Sequence, residues 1–265
     1  MKIAILSDIH GNPESLQKVL KDIEEHKCSR IVCLGDIVGY GYDPNTCIDI
    51  CRERKIDCVL GNLDAALIGK MRLDWFNPFA KNAIERQRPH VTDANKEWLQ
   101  SLPYNKVENF GNKMTCAFSH GTFQYPEEFN YIQDWLDAGL EATALNKNNI
   151  KNLFVGHTHN AKVFHINTTK TEWPRIFHID LEDEQDINLS EEGNFIVNVG
   201  SCGYPRIQPY TIYGIFDTDT SVFHHRILPF DFDSYIENMA KAGASIPLWL
   251  EHRKEEARAK PILYR

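Results

Sequence analysis

Short apolar segments alternate with amphipathic helical segments along the first part of the chain. Residues 1–6, 30–34 and 57–60 are almost continuously apolar, as expected of strands buried on both faces. After the first of them, Asn12 fits a helix N-cap and Pro13 the first helical position, and apolar residues then recur with helical spacing. A second helical pattern precedes the third segment. This alternation predicts βαβ units and a parallel sheet covered by helices.

The pattern changes in later parts of the chain. Residues 65–112 are mostly helix-like, and two further apolar segments, at 114–118 and 153–155, lead into polar residues. Beyond residue 159 the apolar segments are short and β-like, and the last two are close enough together for an antiparallel hairpin. These β-like segments are residues 162–166, 174–179, 195–199, 211–217 and 221–228.

The chain is predicted to form one α/β domain over residues 1–265. Residues 182–192 are polar and acidic, which is typical of a turn, and residues 230–260 have the pattern of one or two amphipathic helices. We therefore predict a helical insertion at about 65–112 and a C-terminal helical tail at about 230–265 within that domain.

Each buried strand is followed at once by residues that can bind a metal ion. Because the carboxyl ends of parallel strands meet at one edge of a sheet, these side chains are expected to lie close together. Carboxylates, imidazoles and one amide suit divalent cations such as Mn, Fe, Zn or Ni, and seven ligands suit two ions better than one. The predicted ligands are Asp8, His10, Asp36, Asn62, His120, His157 and His159.

The composition argues against nucleic acid or a membrane surface as a partner. Hydrophobic residues make up 42% of the chain and charged residues 25%, and the net charge is −8 without any run of Lys or Arg. We therefore expect no strong nucleic-acid binding and no attraction to anionic lipid. Two dications about 3.5–4 Å apart would bind phosphoryl oxygens and generate a hydroxide between them. They would leave roughly one net positive charge in the site, which attracts an anion despite the acidic surface.

The sequence also predicts a cytoplasmic protein. The N-terminus lacks the cleavage pattern of a signal peptide, and no segment approaches the roughly 18 apolar residues of a membrane span. The seven cysteines are odd in number, form no C-x-x-C pair and lie mostly inside apolar segments. That pattern predicts buried free thiols in a reducing compartment. The sequence does not indicate an oligomeric state.

The order of these motifs resembles that of the calcineurin-like metallophosphoesterase superfamily. The motifs are Asp8-Ile9-His10, Gly35-Asp36, Gly61-Asn62, His120-Gly121 and Gly156-His157-Thr158-His159. The likeness runs from residue 1 to about 217. The segment 198–206, Asn-Val-Gly-Ser-Cys-Gly-Tyr-Pro-Arg, is similar to the bacterial and archaeal branch of predicted phosphodiesterases, which includes diadenosine polyphosphate hydrolases.

Membership of that family would imply an αββα sandwich of two mixed β-sheets flanked by helices, with two metal ions between the sheets. It would also imply that one ion is held by Asp8, His10 and His159, and the other by Asn62, His120 and His157. Asp36 would bridge the two. Asn62 would in addition orient the substrate phosphate.

One position departs from the family's pattern. The family's Gly-Asn-His-Asp/Glu motif reads Gly61-Asn62-Leu63-Asp64, so Leu63 stands where a histidine would protonate the leaving oxygen. Loss of a general acid costs about 10²–10⁴-fold, most of all for alkyl monoesters whose alkoxide leaves poorly. His90 or His178 could replace it. Leu63 therefore favours cleavage of a phosphodiester or phosphoanhydride, including a dinucleoside polyphosphate.

Two further residues are predicted to contact the substrate. Arg206 could give a phosphate a bidentate, permanently charged contact, although a structural ion pair is an equal alternative. Asn12 is the second candidate. Two other functions stay open at this stage: a phosphomonoesterase or phosphoprotein phosphatase, and a non-catalytic scaffold of the same fold. The intact set of seven ligands argues against the scaffold.

Overall fold

Two six-stranded sheets form the centre of the fold in a computed structural model that describes residues 1–111, 114–167 and 175–259. The first sheet contains β1 (Lys2–Leu6), β2 (Arg30–Cys33), β3 (Asp57–Cys58), β9 (Gln185–Asn188), β11 (Tyr210–Asp217) and β12 (Val222–Pro229). Its strand order is β3-β2-β1-β11-β12-β9. The second sheet contains β4 (Asn105–Asn109), β5 (Thr115–Ser119), β6 (Asn152–Val155), β7 (Lys162–Asn167), β8 (Arg175–Asp180) and β10 (Asn194–Asn198). Its order is β4-β5-β6-β10-β7-β8.

Helices cover the outer faces of both sheets. They are α1 (Pro13–Glu25), α2 (Pro44–Glu53), α3 (Asn62–Leu67), α4 (Pro78–Gln87), α5 (Asp93–Ser101), α6 (Trp135–Lys147), α7 (Phe232–Lys241) and α8 (Trp249–Ala259). Strand β1 shows how the layers are built: Ile3 and Ile5 pack between the sheets, whereas Ala4 and Leu6 pack under the helices. This alternation follows from the two-residue period of a strand. The αββα sandwich implied by the family resemblance is confirmed.

The start of α1 shows how local sequence positions the chain after β1. The Asn12 side chain accepts a hydrogen bond from the Ser15 N–H (3.1 Å), and Pro13 occupies the first helical position, as predicted. The helix then buries an apolar stripe that includes Leu16 and Leu20. The cap therefore fixes where the loop between β1 and α1 ends, and that loop carries two of the predicted ligands.

Two predictions from the hydrophobic pattern were wrong, and one helix was missed. Within the helix-like region 65–112, helix ends at Ser101 and Asn105–Asn109 form an edge strand whose charged residues hid its period. The predicted acidic turn 182–192 contains strand Gln185–Asn188, in which Ile187 packs on the core between the sheets. Helix α6 was not predicted at all, because Trp135, Leu136 and Leu140 are exposed and give its sequence no clear amphipathic period.

The parallel strands of both sheets end near one another. In the first sheet β1, β2 and β3 run parallel, and in the second β5, β6 and β10 do. The predicted polar clusters follow β1, β2, β3, β5 and β6, but they meet from two sheets and not along one edge of a single sheet. A short apolar strand alone does not reveal to which sheet it belongs.

Two further predictions concern the chain as a whole. All seven cysteines are free, and all are buried except Cys28, which is partly exposed. The predicted burial of the thiols is therefore confirmed for every cysteine but that one. Among the helices of the described residues, none is long and apolar enough to cross a bilayer.

Candidate metal centre

The predicted ligands meet in two buried groups at the junction of the sheets. The first group is Asp8, His10 and His159, and the second is Asp36, His120 and His157. Within each group, one ligand atom from every residue lies within 4.8 Å of the others. The loops that follow β1, β2, β5 and β6 supply these side chains, and Asn62, the first residue of α3, joins the second group.

The first group has the geometry of an ion site. The Nε2 atoms of His10 and His159 are 3.0 Å apart, and they lie 3.5 and 3.3 Å from Asp8 Oδ1. That carboxylate oxygen is buried and has no hydrogen-bond partner among the described residues. Because a buried, unpaired carboxylate oxygen is costly, a cation between these three atoms fits them better than an empty space does.

The second group shows the same convergence. Asp36 Oδ2 lies 3.5 Å from His120 Nε2, and Asn62 Oδ1 lies 3.1 Å from that same nitrogen. The Asn62 side chain is also within 3.2 Å of His157 Nδ1. An amide oxygen in this place faces the carboxylate oxygens of Asp36 and Nδ1 of His157, which are acceptors, and a cation among these atoms would reconcile them. The amide in its reversed orientation would instead donate its N–H groups to the same atoms.

Asp36 lies between the two groups. Its Oδ2 is 3.5 Å from His120 Nε2 in the second group and 3.9 Å from His10 Nε2 in the first. Its other oxygen, Oδ1, accepts a hydrogen bond of 2.8 Å from the Leu63 N–H. Asp36 is the carboxylate that lies within reach of both ligand groups.

Backbone strain concentrates at the ligands. Asp8, His10, Asp36, His157 and His159 all have φ between 49° and 67°. Positive φ is unusual for residues other than glycine and persists only where the surrounding structure enforces it. Five of the twelve such residues in the described part of the chain are predicted ligands. This concentration supports a functional role for the loops independently of any motif.

Close packing of the loops explains two glycines of the motifs. A Cβ atom at Gly61 would lie 2.2 Å from Asp36 Oδ1, and a Cβ atom at Gly156 would lie 1.9 Å from the hydroxyl oxygen of Ser7. Neither contact is possible for any other residue. The glycines preceding Asn62 and His157 thus allow strand ends from different parts of the chain to approach each other.

Backbone carbonyls orient three of the imidazoles. The Nδ1 atoms of His10 and His159 hydrogen-bond the carbonyl oxygens of Val38 and Tyr204, each at 3.1 Å. The Nδ1 atom of His120 does the same with Leu34, at 2.8 Å. Because these bonds fix an N–H at Nδ1, they leave Nε2 as the inward-facing donor of an electron pair. Such bonds set the tautomer and orientation of metal-ligating histidines.

The electrostatics of the groups favour the protonation states that bind metal. Burial opposes ionisation of Asp8, but the imidazoles of His159 and His10 hold its pKa well below the usual range. Burial also opposes ionisation of Asp36, whose pKa is lowered chiefly by His120. Burial lowers the pKa of His157 to about 3 and of His159 to about 4. Ionised carboxylates and neutral imidazoles are what a metal site requires.

His120 differs from its neighbours in the absence of an ion. Burial would lower its pKa, but the charge of Asp36 and the hydrogen bond to it raise the pKa of His120 to about 9. The imidazolium is then the local countercharge for Asp36. A divalent cation would take over that part, because it offers the same carboxylate more positive charge at the same place.

Leu63 and Asp64 do not face the centre as a proton-donating pair would. The Leu63 side chain is 1% exposed and packs in the core under the helices, against Gly39. Asp64 accepts hydrogen bonds of 3.0 Å from the N–H groups of Val38 and Gly61. Asp64 thus ties together the loops after β2 and β3. His90 and His178, the other candidates for the missing acid, belong to neither ligand group.

Arg206 lies beside the first group. Its Nη2 donates to the Thr158 carbonyl oxygen (3.3 Å), in the loop between two ligands, and its charge acts on His159. No carboxylate of the described residues lies within 4.0 Å of this guanidinium, so the alternative of a structural ion pair finds no support there. Asn12 is different. Its amide also donates to Ser15 Oγ and to the Gly203 carbonyl oxygen, so its bonding capacity serves the fold.

Aromatic residues that the motifs did not reveal enclose the centre. Tyr40 and Tyr204 stack with their ring centroids 4.2 Å apart, and Trp249 of α8 meets Tyr204 edge-on at 5.0 Å. Tyr131 stacks on the ligand His157, with centroids 3.9 Å apart. Aromatic residues are common in any core, so spacing alone could not have singled these out. Tyr204 gave a signal as part of the 198–206 motif, and Tyr40 as part of the segment that follows Gly35-Asp36.

Comparison with known proteins gives a consistent picture. A sequence model of the calcineurin-like phosphoesterase superfamily domain matches residues 1–221. An uncharacterised protein of Methanocaldococcus jannaschii is 34% identical over 254 residues, which cover 95% of this chain and 96% of that protein. A solved metallophosphoesterase from Sphaerobacter thermophilus has 30% identity and a TM-score of 0.76, covering 96% of this chain and 97% of its own. A candidate diadenosine tetraphosphatase shares the fold, with a TM-score of 0.53 and 14% identity over 86% of this chain and 93% of that one.

Proposed function

The chain belongs to the calcineurin-like phosphoesterase superfamily, and on that premise we propose that it hydrolyses a phosphodiester or phosphoanhydride bond in a small phosphorylated substrate. The observation that carries the proposal is the pair of buried ligand groups with Asp36 between them. A scaffold has no use for seven converging ligands, several of them in strained conformations.

The residues of the site fit two divalent cations. Asp8, His10 and His159 would hold one, and His120, His157 and Asn62 the other. Asp36 would contact both. When bound, two such ions polarise phosphoryl oxygens and activate water as the nucleophile. Oxygen and nitrogen ligands without thiolates suit Mn, Fe, Zn or Ni.

Residues of the chain contribute orientation and charge. Asn62 stands at the start of α3, where its side chain can reach both a cation and a phosphate oxygen, and the helix N-terminus favours an anion. Arg206 offers a guanidinium that no described carboxylate neutralises, next to the first group. We assign it the role of binding a phosphate group of the substrate.

Leu63 determines which phosphate esters the site suits. The side chain at the position of the family's acid is aliphatic and turned into the core. A leaving group that is already a stable anion needs no proton, whereas an alkoxide does. Activated diesters and phosphoanhydrides therefore fit this site better than alkyl monoesters do. The likeness to a candidate diadenosine tetraphosphatase, which extends to the fold, makes dinucleoside polyphosphates the first anhydrides to try.

The experiment is an activity screen of the full chain after removal of metal and reconstitution with Mn²⁺, Fe²⁺, Zn²⁺ or Ni²⁺ in turn. The substrates are bis(p-nitrophenyl) phosphate, an alkyl phosphomonoester and diadenosine tetraphosphate. We expect hydrolysis of the diester or the anhydride that requires added metal and exceeds hydrolysis of the monoester. Preference for the monoester would replace the proposal by a phosphomonoesterase. Absence of metal-dependent hydrolysis with every substrate and metal would favour a non-catalytic scaffold over an enzyme.

A further inference from the structure

A cavity of about 410 Å³ opens beside the metal centre. Its wall includes Thr158, which stands in the chain between the ligands His157 and His159, and Arg206, whose Nη2 donates a hydrogen bond of 3.3 Å to the Thr158 carbonyl oxygen. The cavity is thus adjacent in the chain to the first ligand group. Its volume lies in the range of pockets that enclose small organic ligands.

The cavity carries positive charge. Arg206 supplies one cation without a described carboxylate partner, and Lys162 supplies a second. The Lys162 side chain is only 15% exposed, and its Nζ lies 3.1 Å from Asp180 Oδ1, whose side chain is half exposed. An ion pair with so exposed a partner is weak, so a phosphate can take the place of the carboxylate.

Uncharged groups form the rest of the wall. Ile132 is buried, Ile207 is partly exposed, and Asn160 adds an amide that can donate and accept hydrogen bonds. Cations, apolar surface and an amide together suit a ligand that combines phosphate with a flat, partly polar ring. A nucleoside phosphate has that composition. Inorganic phosphate or a sugar phosphate would leave the exposed Ile207 without an apolar partner.

We propose that this cavity receives the leaving group of the reaction and that this leaving group is a nucleoside phosphate. The inference rests on the proposed function and names its substrate class. During hydrolysis the oxygen of water bonds to phosphorus, and the bond from phosphorus to the leaving oxygen breaks. That oxygen keeps the electron pair, while the protons of water go to the new phosphate group and to solvent. Lys162 and Arg206 meet the charge on the departing nucleoside phosphate, which offsets the lack of an acid at Leu63.

The first test compares Lys162→Met with a matched control, Lys106→Met. Lys106 also pairs with a partly exposed carboxylate, that of Asp57 at 2.6 Å, but it lies on the edge strand β4 and does not line the cavity. We expect Lys162→Met to lower kcat/KM for diadenosine tetraphosphate by about tenfold, since a charge-assisted hydrogen bond is lost. Hydrolysis of bis(p-nitrophenyl) phosphate, whose leaving group carries no phosphate, should change less than about twofold. Lys106→Met should leave both rates unchanged.

The second test measures binding without turnover, by calorimetry with ADP, pyrophosphate and adenosine. We expect ADP to bind more tightly than either fragment, Lys162→Met to weaken ADP binding about tenfold, and Lys106→Met to have no effect. Equal affinity for ADP and pyrophosphate would overturn the assignment of a nucleoside. Unchanged ADP binding by Lys162→Met would overturn the assignment of the cavity as the binding site. Hydrolysis that Lys162→Met leaves intact for both substrates refutes this inference and spares the proposed function. If the unmodified protein binds ADP but hydrolyses none of the substrates, and Lys162→Met loses that binding, the proposed function is refuted and the nucleotide site stands.

Discussion

The two ligand groups contain the same kinds of atoms but are enclosed differently. Around the first group, both imidazoles are oriented by backbone carbonyls, and the stacked rings of Tyr40 and Tyr204 lie over His10 with Trp249 behind them. In the second group, His157 is covered by Tyr131, whose ring is 45% exposed. The first group is thus covered by the buried Tyr204 together with the partly buried Tyr40 and Trp249. In the second group the buried Phe129 meets His120 edge-on, with ring centroids 6.1 Å apart, but the cover over His157 is the exposed Tyr131.

This difference predicts that the two ligand groups, the two halves of the centre, hold their ions with different affinity. Ligands whose orientation is fixed by surrounding groups bind metal more tightly than ligands left to move. We therefore expect the first group to hold its ion firmly. The second group, with the more open surroundings and the Asn62 amide, is expected to exchange its ion more readily. Trp249 adds a further contrast, because it lies beyond residues 1–221 that match the family domain and yet supports the first group.

Asp36→Asn should produce the largest effect, because it removes the carboxylate that both halves share. Loss of a residue that merely orients a ligand costs about 10–100-fold in metal affinity or activity, and loss of this shared ligand should cost more. We expect turnover of any hydrolysed substrate to fall well beyond 100-fold and not to recover at saturating substrate. Steady-state kinetics and elemental analysis under limiting metal measure both effects.

A suitable control is Asp186→Asn, which changes an acidic residue of β9 that pairs with His224 away from the centre. It should leave turnover and metal content as they are. If Asp36→Asn kept the turnover of the unmodified protein under limiting metal, the two ligand groups would not share Asp36. They would then be two independent sites.

Replacement of one histidine in each half tests the comparison directly. His159→Ala removes a ligand from the enclosed group and His157→Ala one from the open group, so each should weaken its own ion by at least about 100-fold. After dialysis against a mild chelator we expect His157→Ala to retain about one ion per chain. His159→Ala should retain less than that, because only the more weakly held ion remains. Elemental analysis and melting temperature with and without added metal report the difference.

Equal metal content in these two variants would contradict the assignment of a firm and an exchangeable ion. Loss of all metal in both would show instead that the groups bind cooperatively through Asp36. The unmodified protein provides the reference for each measurement, and its two ions should leave in two steps as the chelator concentration rises.

The sequence revealed the ligands because each one stands where a buried strand ends. Asp8, Asp36 and His120 could be found in this way without any knowledge of the three-dimensional arrangement. The enclosure could not be found, since Tyr131 and Trp249 reach the centre through tertiary packing from elements that no motif marks. Short-range patterns describe a strand and its end, whereas the contacts that differ between the two halves join residues far apart in the chain.

The same reasoning explains the errors in the fold. Strand β4 lies at a sheet edge and contains a single apolar residue, the exposed Val107, because burial imposes no apolar period there. Strand β9 is also an edge strand and contributes only Ile187 to the core between the sheets. Interior strands such as β1 and β6 are buried over most of their length and were predicted correctly. Burial on both faces therefore made these interior strands recognisable, whereas the exposed edge strand β8 was recognised from its apolar residues Ile176, Phe177 and Ile179.

Leu63→His should have the smallest effect, and it tests whether the open half lacks only a proton donor. The imidazole would stand next to Asp64 and, if it turns out of the core, would be able to protonate a leaving oxygen. A well-placed general acid supplies about 10²–10⁴-fold. Leu63 is packed against Gly39, so a histidine must leave that position before it can act, and we expect a gain of about tenfold or less. The gain should appear with alkyl monoesters and be nearly absent with nitrophenyl esters and anhydrides, which flattens the dependence of rate on the basicity of the leaving group.

Leu63→Gln is the control, since it places a polar side chain of similar size there without a transferable proton at neutral pH. Metal content and melting temperature are measured for both variants, because burying a polar group costs about 1–3 kcal/mol. With metal content unchanged, an equal effect of Leu63→His on all substrates, or the same gain from Leu63→Gln, would show that proton donation is not what distinguishes this half of the centre.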